Sequence, residues 1–347
     1  MKSYTSDHSS YWARIVIFGL AILFGTIPVH GARADTIYLE NYPLTIVGDP
    51  NGSPPDLPDD HIDPNTPTSP FGGVVSIEID LGIAGSSFAS GVVIGPRQIL
   101  SAAHPFDSIN NDGVIDVPTS QVTFNLNTGP TPQTFGVESI RLHPDFTGFR
   151  FLGMPAGSDL AVLNLSTPLP SGVPTYGLFL DPLLGEQVIM VGYGATANGF
   201  DGILDPASSD PTIKRTGQNV VDLIIDDVYT FDFDGPSGTP NMLGGPTLGN
   251  ELETNLGPGD SGGPLFVNLG LAMDPIEGAN LKIAGINTFG NTFGSAFSNP
   301  PEYPLFGSGG GGTLVAPNQA FIPLPEAAPV GISLLFALGV MRKLRRH

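Results

Sequence analysis

The chain has 347 residues with 46 Gly, 35 Pro, no Cys and 13% charged residues, which counts against a helical bundle and rules out a disulfide framework. Its formal charge is −20; setting aside residues 1–34 and 330–347 leaves 6 basic and 32 acidic residues, a net of −26. So acidic a surface repels phosphate backbones and argues against a nucleic-acid partner, while it keeps an exported protein soluble and offers carboxylates to calcium.

In chain order, residues 1–34 have the three parts of a secretory signal. Lys2 and Arg14 supply positive charge, Ile15 to Val29 form an apolar stretch, and Ala32-Arg33-Ala34 is a small-x-small cleavage site, so export and a cut before Asp35 are expected. An N-terminal membrane anchor is the alternative. Residues 35–70 are rich in Pro, Asp and Asn and predict an extended leader or propeptide rather than a packed element. From Val74 onward short strand-like runs recur: Val74–Ile79, Gly91–Ile94, Gln121–Leu126, Leu160–Leu165, Gln187–Val191, Asn219–Ile225 and Ile283–Asn287. Turn residues separate them, the pattern of an all-β sandwich or barrel. Gly309–Gly312 has the composition of a linker. The chain ends in Pro325-Glu326-Ala327, an apolar run Val330–Met341 shorter than the ~20 residues a membrane-spanning helix needs, and the basic string Arg342-Lys343-Leu344-Arg345-Arg346.

The most specific string is Gly257-Pro258-Gly259-Asp260-Ser261-Gly262-Gly263-Pro264-Leu265. A serine becomes a useful nucleophile when a base takes its proton and donors await the oxyanion. Glycines beside Ser261 let the N–H groups of Gly259 and Ser261 point at one oxygen. The string also satisfies the nucleophile elbow of α/β-hydrolases, but that fold places its histidine after the serine, and only His347 in the basic tail follows Ser261. The base must therefore lie upstream. His8 and His30 belong to the signal, His61 to the Pro/Asp-rich leader, and His143 to a Leu-His-Pro-Asp turn. His104 closes Ile99-Leu100-Ser101-Ala102-Ala103-His104, a strand running into small residues that leave room for an imidazole. Asp159 stands at the mouth of the apolar strand Leu160–Leu165, where a buried carboxylate needs a donor such as an imidazole N–H. His104, Asp159 and Ser261 are the expected triad, with the oxyanion hole at Gly259 and Ser261.

These strings resemble the trypsin-like serine proteases: Ser101–His104 is similar to their Thr/Ser-Ala-Ala-His, Asp159–Leu165 to their Asp-Ile-Ala-Leu strand, and Gly259–Pro264 to their Gly-Asp-Ser-Gly-Gly-Pro. Val75–Ile77, Gly192-Tyr193-Gly194, Ala284–Gly290 and Gly311–Val315 with Phe321-Ile322 extend the resemblance, which moves the glycine run into a domain spanning 71–322. The resemblance implies two antiparallel six-stranded Greek-key barrels with the site between them, and a secreted serine endopeptidase acting on proteins or peptides without a required cofactor. It puts the specificity pocket at Asn255, Thr288, Phe289 and Gly290; no carboxylate stands at its floor, so a preference for Arg or Lys is not expected. It also implies a zymogen in which Asp260 pairs with a new N-terminal ammonium. Ile62, 42 residues before His104, is the expected new terminus, and in the uncut chain Asp260 is expected to point elsewhere. Ile46-Val47-Gly48-Asp49 looks more like the family's own start but lies 58 residues before His104.

The tail, residues 323–347, resembles the PEP-CTERM sorting signal, with Ala327 where Pro is usual; this implies an exosortase-type processing enzyme, transient membrane contact and a bacterial cell-surface destination. Asn110, Asp112 and Asp116 form part of a calcium-loop pattern, with Ser108 and Thr119 at its outer positions, and suggest a structural Ca2+. The rival readings are a catalytically silent trypsin-like binding protein and an exopolymer-matrix surface protein.

Overall fold

The computed structural model describes residues 45–82, 85–126, 132–148, 157–194, 196–203, 210–270, 280–293 and 304–323. The expected signal segment and the sorting tail beyond residue 323 lie outside them. After a short strand β1 (Thr45–Val47), the first half contributes β2 (Val74–Asp80), β3 (Ser86–Gly95), β4 (Gln98–Ser101), β5 (Val122–Leu126), β6 (Gln133–Leu142) and β7 (Ala161–Leu165). These six close into an antiparallel barrel in the order β2-β3-β4-β7-β6-β5.

The second half holds β8 (Gly177–Leu178), β9 (Gln187–Gly192), β10 (Thr196–Asn198), β11 (Gly202–Ile203), β12 (Arg215–Val220), β13 (Leu223–Ile225), β14 (Val228–Asp232), β15 (Asn255–Leu256), β16 (Pro264–Asn268), β17 (Leu281–Asn291) and β18 (Gly309–Leu314). Six of them run antiparallel as β12-β9-β16-β17-β18-β14, with β13 added beyond β14 and β8 lying parallel to β17. The all-β, trypsin-like class expected from the sequence is the one observed. The glycine run is strand β18 and not a linker.

Side chains alternate along each strand, and the alternation sorts the main core into three parts, beside a small fourth cluster of Ile46, Ala197 and Phe233. On β3, Val93 turns into the first barrel while Val92 and Ile94 turn toward the second half. On β9, Val188 and Met190 face the second interior, and Ile189 and Val191 face the seam. The seam joins Val74, Leu100 and Val162 of one half to Phe266, Ile283 and Ile286 of the other. Each such side chain contributes about 1.5–3 kcal/mol on full burial.

One expectation needs correction. The described part of the 35–70 segment is packed, not extended in solvent. Ile46 and Val47 are fully buried, with β1 parallel to β10 and antiparallel to β15, where Ile46 faces Asn255. Asp63 and Lys214 form a buried ion pair at 3.2 Å; the ammonium also donates to the Phe71 carbonyl, and Ser69 donates to the second Asp63 oxygen at 2.5 Å. Composition misjudged the segment because its few apolar residues are enough for a three-residue strand whose partners lie far along the chain.

Candidate active site

Three loops converge where the two halves meet. β4 ends at Ser101, and a tight turn, His104–Phe106, presents the imidazole. Asp159 precedes β7, and Ser261 stands in the loop between β15 and β16. His104 Nδ1 lies 2.8 Å from Asp159 Oδ2, and His104 Nε2 lies 3.0 Å from Ser261 Oγ. Asp159 is wholly buried, and its other oxygen accepts the N–H groups of Ala103 and His104 at 2.7 and 2.9 Å. These bonds meet the need of a buried carboxylate for donors and leave Oδ2 facing the imidazole. The three residues singled out in the sequence thus meet as one hydrogen-bonded chain.

The serine loop is shaped by glycine. Gly259 and Gly262 have φ of +95° and +87°, and a Cβ at Gly262 would overlap Ser101 Oγ. Among the described residues neither the Gly259 nor the Ser261 N–H has an acceptor, so both are available to an anionic oxygen. Ser90 is a member of this site that the sequence did not disclose. Its N–H donates to the Ser261 carbonyl at 2.7 Å, and its hydroxyl donates to the Gly259 carbonyl at 2.8 Å while accepting Tyr193 N–H at 3.0 Å. One small residue in a strand of small residues carries no signal; only its position at the seam gives it this task.

Asn255 is buried against β18: its amide donates to Ser308 Oγ at 3.0 Å, and a Cβ at Gly310 would stand 2.9 Å from its Oδ1. Thr288, Phe289 and Gly290 lie on β17 beside that strand, with the Phe289 ring against Gly311. The structure therefore brings the expected pocket residues to one place.

It does not bring Ile62 to Asp260. Ile62 donates its N–H to Asp59 and sits in a bridge with Arg215. In the uncut chain Asp260 is already turned inward and 3% exposed, accepting Gly194 N–H at 2.9 Å and Gly257 N–H at 3.2 Å. Burial lowers the pKa of the Arg215 guanidinium, and the charge of Asp260, ahead of Asp59 and Asp210, opposes that fall. The expectation that Asp260 points elsewhere before cleavage is corrected accordingly.

The carboxylates of the calcium-like pattern bond to the backbone of their own loop. Asp116 Oδ2 accepts the N–H groups of Ile109 and Asn110, Asp112 Oδ1 accepts that of Val114, and Asp107 accepts those of Asp112 and Gly113. These carboxylates fold the loop onto its own backbone, and among the described residues no three His, Asp or Glu side chains are arranged to hold a metal ion.

An all-β body in two halves, with a Ser–His–Asp hydrogen-bond chain at their meeting line, has the architecture of the chymotrypsin-fold proteins. A model of the Trypsin family matches residues 65–303, and the chain belongs to that family. Among solved structures it is similar to a scabies mite inactivated protease paralogue, at 17% identity over 75% of this chain and 96% of that one, with a TM-score of 0.44. That likeness is too low to carry an argument. No curated protein matches the chain significantly.

Proposed function

We propose that the protein is a secreted serine endopeptidase. The observation that carries this reading is the unbroken chain Asp159–His104–Ser261 next to two backbone N–H groups that have no acceptor among the described residues. In the first half-reaction Ser261 Oγ attacks the carbonyl carbon of a peptide bond as its proton passes to His104 Nε2. The carbonyl π electrons move onto oxygen, which takes the Gly259 and Ser261 N–H bonds. His104 then returns the proton to the departing amine nitrogen, the C–N bond breaks, and an ester to Ser261 remains. Water repeats the sequence with His104 as base, releasing the carboxylic acid and restoring the serine hydroxyl. Asp159 stays ionised throughout and holds the Nδ1–H toward itself, so that Nε2 faces Ser261 in the accepting form.

No cofactor enters any step. The substrate is a protein or peptide with an uncharged residue before the cut, since Asn255 offers amide chemistry and no charge. Export through the N-terminal segment and retention at the cell surface through the PEP-CTERM-like tail, by an exosortase-type enzyme, complete the reading. A fluorophosphonate probe tests it: rapid phosphonylation at Ser261, abolished by Ser261→Ala, is expected. A wild-type protein that stays unlabelled over hours would overturn it.

A further inference from the structure

The turn that delivers Asp159 is held from the other half of the molecule. Ser158 has φ of +64°, a left-handed backbone that residues with a side chain rarely adopt. Its N–H donates to Asp227 Oδ2 at 2.7 Å and its hydroxyl to the same oxygen at 3.3 Å. Gly157 runs so close to that carboxylate that a Cβ there would overlap Oδ1. On the far side, Ser158 O accepts Leu160 N–H at 2.8 Å, so Asp159 lies between two fixed points.

Asp227 is itself well anchored. It belongs to the two-residue turn joining β13 to β14; its carbonyl accepts Leu314 N–H at 2.7 Å, and Asn318 Nδ2 approaches its Oδ2 at 3.4 Å. The clamp therefore runs from the second half, which bears Ser261, to the turn of the first half, which bears Asp159. A buried Asp159 with both oxygens committed takes its direction from its backbone, and that backbone is in a conformation that needs an external hold.

We propose that Asp227 is a positioning residue: by gripping the Gly157–Ser158 turn it sets the angle at which Asp159 meets His104. The inference rests on the proteolytic reading above but is testable apart from it, because the His104–Asp159 bond has a downfield imidazole N–H proton resonance that needs no turnover to be seen.

The experiment records that resonance, peptide hydrolysis and the thermal midpoint for the full chain and four variants. Asp227→Ala is expected to lower kcat about tenfold with little change in KM, as small misplacements of a reacting group do, and to broaden or abolish the resonance. Asp227→Asn keeps an acceptor oxygen and should stay within about threefold of wild type. Ser158→Gly added to Asp227→Ala should regain most of kcat and the resonance, because glycine adopts positive φ unaided. A merely structural role predicts the reverse, since glycine loosens the chain further. Gly157→Ala pushes the turn off the carboxylate from the other side and should reproduce the loss, which keeps the test open should the Asp227→Ala chain fail to fold. Normal kcat and resonance in both Asp227→Ala and Gly157→Ala, or a loss that Ser158→Gly does not repair, would overturn the proposal. A wild type with the resonance but no hydrolysis or labelling sinks the proteolytic reading alone, and the clamp is then judged on the resonance.

Discussion

At the scale of residues, the proposed triad predicts that its members fail as a unit. Ser261→Ala and His104→Ala should each remove all but a trace of peptidase activity, and the double variant should be little worse than either single one. Residual turnover on the order of a tenth of wild type in Ser261→Ala would refute the assignment. Asn255 makes a second prediction. Its amide is satisfied by Ser308 and by Leu256 N–H, so a substrate cation reaching it finds no charge to offset its desolvation. A peptide library should favour uncharged residues before the cut, and Asn255→Asp should move the profile toward Arg and Lys. A wild-type profile dominated by those two residues contradicts this.

At the scale of elements, β1 and the segment after it are structural parts of the second half. β1 is zipped between β10 and β15, and β15 begins at Asn255. The hold is reinforced by the Lys214–Asp63 pair, both ends of which are buried. Burial lowers the Lys214 pKa, while the charge and hydrogen bond of Asp63 oppose the fall. Lys214→Met leaves Asp63 a buried anion without its cation and should cost about 3–5 kcal/mol. Urea denaturation measures it, and the double variant Lys214→Met/Asp63→Leu should recover much of the loss. N-terminal sequencing of the active secreted form should find Ile46 and Val47 retained. A start at Ile62 would mean that the β1 strand is dispensable.

At the scale of the whole molecule, the buried acids make stability depend on pH. Asp222, Asp232, Asp234 and Glu253 crowd together, with Asp232 accepting Met242 and Leu243 N–H and Glu253 accepting Asp234 N–H at 2.5 Å. Burial first, then the neighbouring carboxylates, raises the pKa of Asp222 and Glu253 and pushes that of Asp234 to about 7. A carboxyl raised in the folded state binds its proton more tightly than in the unfolded chain, so its contribution is present at low pH and lost as pH climbs through the raised value. His61 acts in the same direction. Both ring nitrogens face acceptors, Asp56 Oδ1 at 2.7 Å and the Thr216 carbonyl at 2.9 Å, which calls for the doubly protonated ring. Burial pulls its pKa down, but Asp56 and Thr216 outweigh that and leave it above the ordinary 6.5. Its stabilisation is complete below 6.5 and fades as pH rises through the raised value. The urea midpoint should therefore fall from about pH 6 to about pH 8.5, and Asp234→Asn should flatten the slope by removing one of the titrating carboxyls. A midpoint that is flat or rising over that range contradicts the assignment.

What the sequence determined by itself was the set of residues that the structure brings together at the candidate site. Glycines around Ser261, small residues before His104 and an acid opening an apolar strand are local demands, and the order of the three strings along the chain excluded the hydrolase elbow. Short strand-like runs separated by turn residues were likewise local, and they sufficed for the all-β class. The tertiary structure decided everything that depends on partners distant in sequence. Ile46 and Val47 become a strand because β10 and β15 lie 151 and 209 residues further on, facing Thr45 and Ile46 through Thr196 and Asn255. The carboxylates of the Asn110–Asp116 loop accept nearby N–H groups, bonds that composition does not disclose. Ile62 was singled out by spacing alone, and Ser90, Arg215 and Asp227 carry no signal in their own neighbourhoods. The tasks of Ser90 and Asp227 exist only because a closed barrel and a second sheet meet along one seam, where hydrogen bonds from one side hold a loop on the other.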